Sequence, residues 1–329
     1  MTMKSPYRAT IEPVPAEVPR PLWSVMIPTY NCERYLGETL ASVLIQDLGP
    51  DLMQIEVVDD HSTSDDPMRV VEDVGNGRVG FFRQKENVGH VRNFETCLRR
   101  SQGRLIHLLH GDDCVRDGFY STMEKAFKDD PDIGAAFCRF IVMDEEGHWQ
   151  KISPLEQPKD GILNNWFDRI ALEQRIQTPS IVVRREVYEK LDGFDRRLSW
   201  SEDWEMWVRI AAHFPVWYVV EPLAVYRMHS TSNTSGFART GENVRDVRRA
   251  VAITKQYLPD GYSQETSRLA LERQALIALK SAREFAGTGE TYPAIIQARE
   301  ALRCSLSLKI GVRVLRLLIR AVLHRLGMR

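Results

Sequence analysis

From residue 23 onward, short apolar runs alternate with longer amphipathic stretches. The runs at 23–27, 55–58, 80–83 and 105–109 are of strand length, and the stretches at about 32–46, 67–74 and 91–101 carry helical spacing. Each helical stretch is long enough to take the chain back over a sheet. The pattern therefore predicts an α/β protein with a mainly parallel sheet and helices on both faces. In open sheets of that kind, ligands bind beyond the carboxyl ends of the strands. Pro28-Thr29-Tyr30-Asn31, Asp59-Asp60 and Asp112-Asp113 all fall at that edge.

The acidic pairs narrow the chemistry. Adjacent carboxylates repel each other and carry a desolvation cost, so a pair at the end of a buried strand usually shares a cation or a proton. Gly111-Asp112-Asp113 is also good turn chemistry, because glycine allows positive φ and aspartate bonds its own backbone. The second pair, Asp59-Asp60, again directly follows an apolar run, and two such strands suggest one shared cleft holding a hard cation.

With 329 residues and 43% hydrophobic content, the chain can bury the core of one large domain or two ordinary ones. A net charge of -1 gives no field to steer it toward nucleic acid, so no nucleic-acid partner is expected. Cys32, Cys97, Cys114, Cys138 and Cys304 are scattered and form no Cys-x-x-Cys, which argues against a disulfide framework or a zinc site and for a reducing cytoplasm. Residues 1–21, with Pro6, Pro13, Pro15, Pro19 and Pro21, lack the apolar core of a signal peptide and read as a flexible lead-in. No segment reaches the roughly 18 uninterrupted apolar residues of a spanning helix.

Further along, a helix at 119–127 precedes a strand at 133–144 that turns at Glu145-Glu146-Gly147-His148. A loose connection then runs to Gly161, of the kind that carries substrate contacts. Residues 164–174 look helical, 180–183 form a strand, and a helix at 185–191 stops before Gly193. In a helix over 203–213, Trp204, Trp207 and Ile210 share one face and read as core, while Glu202 and Asp203 sit where the helix dipole keeps a carboxylate ionised, which suits a general base. Strands at 216–220 and 223–227 lead to Met228-His229.

Beyond residue 241 the composition turns helical, with an antiparallel pair at 263–285 and 291–302. A last helix over 306–326 sets Lys309, Arg313, Arg316, Arg320 and His324 against Ile310, Val314, Leu317, Leu318 and Ala321, with nothing acidic after Glu300. Such a helix suits peripheral contact with an anionic membrane, each basic group near the lipid contributing about 1 kcal/mol, or packing on a partner or on the catalytic domain. The expected division is a lead-in over 1–21, a main domain over 22–240 and a helical region over 241–329.

Six segments in one order resemble the family 2 glycosyltransferases of the GT-A fold. They are residues 24–31, Val57-Val58-Asp59-Asp60-His61-Ser62, Glu86-Asn87-Val88-Gly89, His110-Gly111-Asp112-Asp113, Glu202-Asp203-Trp204 and Tyr226-Arg227-Met228-His229. The resemblance covers residues 23–234. It implies a GT-A-type, Rossmann-like mixed sheet, mostly parallel and flanked by helices, with a C-terminal helical appendage. It places Pro28, Tyr30 and Asp60 around the base and ribose of a nucleotide, although Tyr30 also suits ordinary core. Asn87 and Arg92 would belong to a loop closing over the nucleotide, although Asn87 equally suits an exposed turn. The family's metal motif is Asp-x-Asp followed by another Asp, and here its first position is His110. Asp112 is then the implied ligand of Mg2+ or Mn2+ on the donor diphosphate, with Asp113 beside it and His110 near the nucleotide or sugar. His229 falls where a family histidine approaches the diphosphate or its metal, and a lone surface histidine is its other reading. Imidazole ligation would favour manganese. Asp203 matches the catalytic base, and Thr178, Glu202 and Trp200 match the acceptor side.

The implied activity is a metal-dependent, inverting hexosyl or related transfer from a nucleotide-diphosphate sugar to a hydroxyl of a glycan or lipid-linked acceptor. The implied setting is cell-surface polysaccharide synthesis in the cytoplasm or peripherally on the inner face of a membrane. Two alternatives compete. A sugar-phosphate nucleotidyltransferase would carry a Gly-rich, Lys-containing loop after 23–27, which is missing. A non-catalytic nucleotide-sugar-binding module has no need of Asp112, Asp203 and His229 together.

Overall fold

The structure, a computed structural model, describes residues 5–229, 233–258 and 263–325, with the side chains of 233–235 and 318–325 left aside. The chain resolves into two compact units. The first comprises Met1–Trp166, Arg175–Arg196 and Arg209–Met228, and the second Phe167–Gln174, Arg197–Val208 and His229–Arg329.

The first unit is built on a ten-stranded sheet. β1 (Trp23–Thr29), β2 (Met53–Asp59), β3 (Gly80–Arg83) and β4 (Leu105–Leu108) pair in parallel. β1 is buried at every position, which fits a central strand covered on both faces. β5 (Cys114–Val115), β6 (Ala135–Met143), β9 (Ile181–Arg184) and β10 (Val216–Arg227) complete the path β3-β2-β1-β4-β9-β6-β10-β5. Six of those eight strands run one way, and only β9 and β5 oppose them. The sheet is thus mixed but mostly parallel. Two short strands, β7 (Trp149–Ile152) and β8 (Gly161–Ile162), pair antiparallel with β6 and β10.

Helices α1 (Glu33–Leu44), α2 (Pro67–Gly75), α3 (His90–Arg100) and α4 (Phe119–Asp129) supply the covering layers. Leu36, Leu40 and Val43 of α1 recur at helical spacing and pack with Val25, Ile27 and Val57 in one buried cluster. α2 begins with proline at its N-terminal turn and ends at left-handed Asn76, φ 46°.

The structure departs from the sequence expectations in several places. The strands expected at 216–220 and 223–227 are one strand, β10, with register shifts around Pro222. A proline cannot donate to the ladder, and the bulge absorbs that loss without ending the strand. The helix expected over 164–174 is only α5 (Trp166–Ile170). The lead-in, read as flexible, is held along part of its length. Ala9 and Ile11 are buried, Arg8 bridges to Asp195, and Arg185 donates to the Glu12 carbonyl at 2.9 Å.

α6 (Arg185–Leu191) lies in the first unit and α7 (Glu202–Ala211) begins in the second. The second unit continues with α8 (Asn233–Thr240), α9 (Glu242–Thr254), α10 (Ser263–Gly287), α11 (Thr291–Cys304) and α12 (Leu308–Arg325). Ala275, Ala278 and Leu279 of α10 and Ala301 of α11 share a core with Val244, and the small alanines let the helices approach closely. Ile310, Val314 and Leu317, the face the sequence offered to a membrane, a partner or the catalytic domain, are buried in this bundle. Leu318, Arg320, Ala321 and His324, expected on the same helix, have side chains outside the described residues. Among the described residues, no helix is long and apolar enough to cross a membrane.

Candidate functional site

In the first unit, the carboxyl ends of β1, β2 and β4 bring three loops together. The Asp60 N–H donates to the Thr29 carbonyl at 2.9 Å, and the Gly111 N–H to the Pro28 carbonyl at 3.1 Å. The loops after β1 and β2 are laced by side chains. Asn31, with φ 49°, accepts from the Thr63 and Ser64 N–H groups, and its own N–H donates to Ser62 Oγ at 2.8 Å. Pro28 is buried within β1, whereas Tyr30 is 46% exposed and so is not core.

The first acidic pair is engaged by neighbouring donors. Asp59 is fully buried, pairs with Arg83 at 2.6 Å and accepts from the Ser62 N–H and hydroxyl. Asp60 is also buried, and its two carboxylate oxygens accept the Val88 and Gly89 N–H groups at 2.8 and 2.9 Å. Burial raises the Asp60 carboxyl while those two donors pull it down. Gly89, at φ 83°, makes the turn into α3 that points both N–H groups at one carboxylate. Asn87 is exposed and donates to the Asp60 carbonyl at 3.2 Å. Arg92 is exposed on the first turn of α3 and lines a 290 Å³ depression with Gln84, Val88 and Thr96, whose lining does not include His110, Asp112 or Asp113.

The second pair is different. Candidate ligand atoms of His110, Asp112 and Asp113 all lie within 4.8 Å of one another. The His110 ring stacks on Phe94 of α3, centroids 5.3 Å apart and planes 11° apart, with Nδ1 3.6 Å from Asp113 Oδ2. Asp113 is fully buried, and its Oδ1 accepts the Arg227 N–H at 2.8 Å. Its Oδ2 is buried and accepts no hydrogen bond among the described residues. Burial and the adjacent Asp112 carboxylate push the Asp113 carboxyl well above the usual range, against the pull of Arg227. Two carboxylates, one with an unspent buried oxygen, and an imidazole form a donor set that fits a divalent cation. Gly111 is required beneath them, because a Cβ there would come within 2.7 Å of Thr29 Oγ1 and Cys32 Sγ.

Arg227, which the sequence placed in the segment Tyr226–His229 without a role, has one in the structure. It is buried, donates from Nε to the Asp112 carbonyl at 3.0 Å, pairs with Glu38 and lies over the Tyr35 ring. Its guanidinium holds Asp112 and its backbone N–H holds Asp113, so one residue braces the acidic turn.

Thr178 is buried in a single turn of 3-10 helix, Thr178–Ser180, that leads into β9 at the same edge of the sheet. His107 of β4 anchors this turn. Its Nε2 donates to the Pro179 carbonyl at 2.9 Å, leaving Nδ1 to accept from the Tyr120 hydroxyl, and burial pushes the ring down to about 4. His107 is a neutral core histidine.

Asp203, Glu202, Trp200 and His229 belong to the second unit. Asp203, at the start of α7, accepts from the Gln174 amide at 2.7 Å and from the Trp204 N–H at 2.6 Å. Burial and the neighbouring Glu202 push its carboxyl well above the usual range, against those two donors. Trp204 is core, as expected, with its indole N–H on the Ile170 carbonyl at 2.7 Å. The backbone N–H groups of Ser199, Trp200 and Ser201 converge on one oxygen of the buried Asp246 at 3.2, 3.0 and 2.8 Å, which fixes the approach to α7. Asp246 and Gln174 carried no sequence signal, because their roles depend on partners far along the chain.

The sheet order, the loops at its carboxyl edge and the acidic turn after β4 define a GT-A-type fold. The family described as Glycosyl transferase family 2 matches residues 24–192, and the chain belongs to that family. An uncharacterized Mycobacterium tuberculosis protein, MT1568, is 30% identical over 241 residues, covering 70% of this chain and 74% of that protein. Among solved structures, residues 1–349 of S. aureus TarS in complex with UDP-GlcNAc superpose with a TM-score of 0.65 at 15% identity, covering 93% of this chain and 92% of that one. This chain spans 55% of a longer TarS chain. The mannosyltransferase PcManGT from Pyrobaculum calidifontis, in complex with GDP-Man and Mn2+, gives a TM-score of 0.55 at 18% identity, covering 97% and 84%.

Proposed function

We propose that this glycosyltransferase moves a sugar, with inversion, from a nucleotide-diphosphate donor to a hydroxyl of a glycan or lipid-linked acceptor in cell-surface polysaccharide synthesis. Its place of work is the cytoplasm or the inner face of a membrane. The observation that carries the reading is the group His110, Asp112 and Asp113 at the carboxyl edge of the sheet, with one buried carboxylate oxygen unspent. The complexes of TarS with UDP-GlcNAc and of PcManGT with GDP-Man and Mn2+ support a nucleotide-sugar donor and a divalent cation.

In this reading, exposed Tyr30 stacks on the base beside Pro28, and Asp60 both meets the nucleoside and holds the loop of Asn87. Arg92 approaches the donor as that loop closes. Asp112 and Asp113 would hold Mn2+ or Mg2+, with His110 and His229 as further candidate ligands. A cation held there neutralises charge developing on the leaving diphosphate. Asp203, oriented by Gln174, takes the proton from the acceptor hydroxyl as that oxygen attacks the anomeric carbon opposite the diphosphate. Its raised proton affinity suits a base working near neutral pH. Glu202, Trp200 and Thr178 line the acceptor side. The active domain spans 22–240, followed by the helical region.

The test is donor turnover across a panel of nucleotide sugars, with and without Mn2+, in the wild type and in Asp203→Asn. The expected result is metal-dependent release of nucleoside diphosphate, lost in the variant while donor binding remains. With pyrophosphate added, formation of nucleoside triphosphate and sugar 1-phosphate would support nucleotidyl transfer instead. A panel that neither binds nor turns over would overturn the reading.

A further inference from the structure

α12 carries two apolar stripes. The inner one, Ile310, Val314 and Leu317, is consumed by the bundle. The outer one follows the same four-and-three spacing at Leu308, Val312 and Leu315, and these side chains are 84%, 39% and 58% exposed. Leu306, just before the helix, is 87% exposed. The spacing continues in the sequence at Ile319 and Val322, whose side chains lie outside the described residues.

A row of cations borders this outer stripe. At 100° per residue, Lys309, Arg313 and Arg316 fall between the outer and the inner apolar faces. Lys309 shares its charge with Glu272 of α10, 3.7 Å away. No acidic residue follows Glu300. An exposed apolar stripe of this length signals a contact surface, and the charge beside it selects the partner. A second copy of α12 would bring cations against the same helix and supply no counter-charge. An anionic lipid surface supplies both an apolar interior for the leucines and a negative plane for the basic row.

We propose that α12 docks the protein on an anionic lipid surface through Leu306, Leu308, Val312 and Leu315, with Lys309, Arg313 and Arg316 at the headgroups. The docking face is thus the one turned away from the bundle, opposite to the face the sequence suggested. The inference does not rest on the active-site residues, so either can fail alone.

The test is flotation of the full chain with vesicles of phosphatidylcholine alone and of phosphatidylcholine mixed with phosphatidylglycerol. Binding is expected only with the anionic vesicles, weakening as salt rises. The pair Leu308→Asn with Leu315→Asn should abolish flotation, and Arg313→Gln with Arg316→Gln should weaken it by about tenfold or more. These side chains are wholly or partly exposed, so an unchanged melting curve certifies that the variants fold. Donor turnover without vesicles should be unaffected in both pairs. Three results would overturn the proposal: no flotation with either vesicle, equal flotation with both, or leucine variants that still float. Leucine variants that dissolve a dimer in the absence of lipid, with no flotation by the wild type, would assign the stripe to a second copy instead.

Discussion

The pairs Asp59-Asp60 and Asp112-Asp113 look alike in the sequence, each at the carboxyl end of a buried parallel strand of one sheet, yet their carboxylates are engaged differently. The first pair is fully engaged, with Arg83, Ser62, Val88 and Gly89 donating to it. The second leaves Asp113 Oδ2 buried beside His110 with no donor among the described residues. A carboxylate whose acceptors are filled holds a loop, and under the proposed function one with an open oxygen would hold a cation. Counting donors separates two pairs that spacing alone cannot distinguish.

Asparagine substitutions should drive the two pairs apart. Asp112→Asn and Asp113→Asn should each lower donor turnover by about a hundredfold or more, since a cation opposite developing charge is lost, as initial rates at saturating donor would show. In urea unfolding without metal, Asp113→Asn should hold or raise the midpoint, because an amide carries no buried charge. Asp59→Asn should instead lower stability by about 2–3 kcal/mol, since Arg83 and Ser62 lose a charged acceptor. Equal destabilisation by Asp59→Asn and Asp113→Asn would erase the distinction. Asp60→Asn should cost about 1 kcal/mol and appear locally, as hydrogen exchange about fivefold faster at Val88 and Gly89.

Asp203 extends the comparison to the second unit with a smaller effect. Its folded carboxyl lies above the unfolded value of about 3.9, so the unfolded chain gives up that proton first as pH rises. Stability contributed by the protonated form is complete below the unfolded value and is lost as pH climbs through the folded one. Melting temperature should therefore fall over that window in the wild type and fall less in Asp203→Asn. A steeper fall in the variant would reverse the sign and remove the case for a raised base.

The parallel half of the sheet was legible because β1, β2 and β4 are buried apolar runs separated by helices with one apolar face. β5 and β8 have two residues each and β7 is exposed along its length, so none carries a period to detect. Pro222 read as a break because a proline usually ends pairing, and only the neighbouring register shows that the sheet takes a bulge. The residues of the acidic turn were visible because their chemistry is local. Arg227 and Glu38 were not, since an arginine that braces a loop 114 residues away has no sequence pattern of its own.

The most direct measurement is anomalous scattering from a crystal of the protein grown with Mn2+ and a nucleoside diphosphate. The account requires a manganese peak bound by Asp112 or Asp113 beside His110. A peak on another site, or an ion bound at Asp59-Asp60 with the Asp113 side chain untouched, would contradict it.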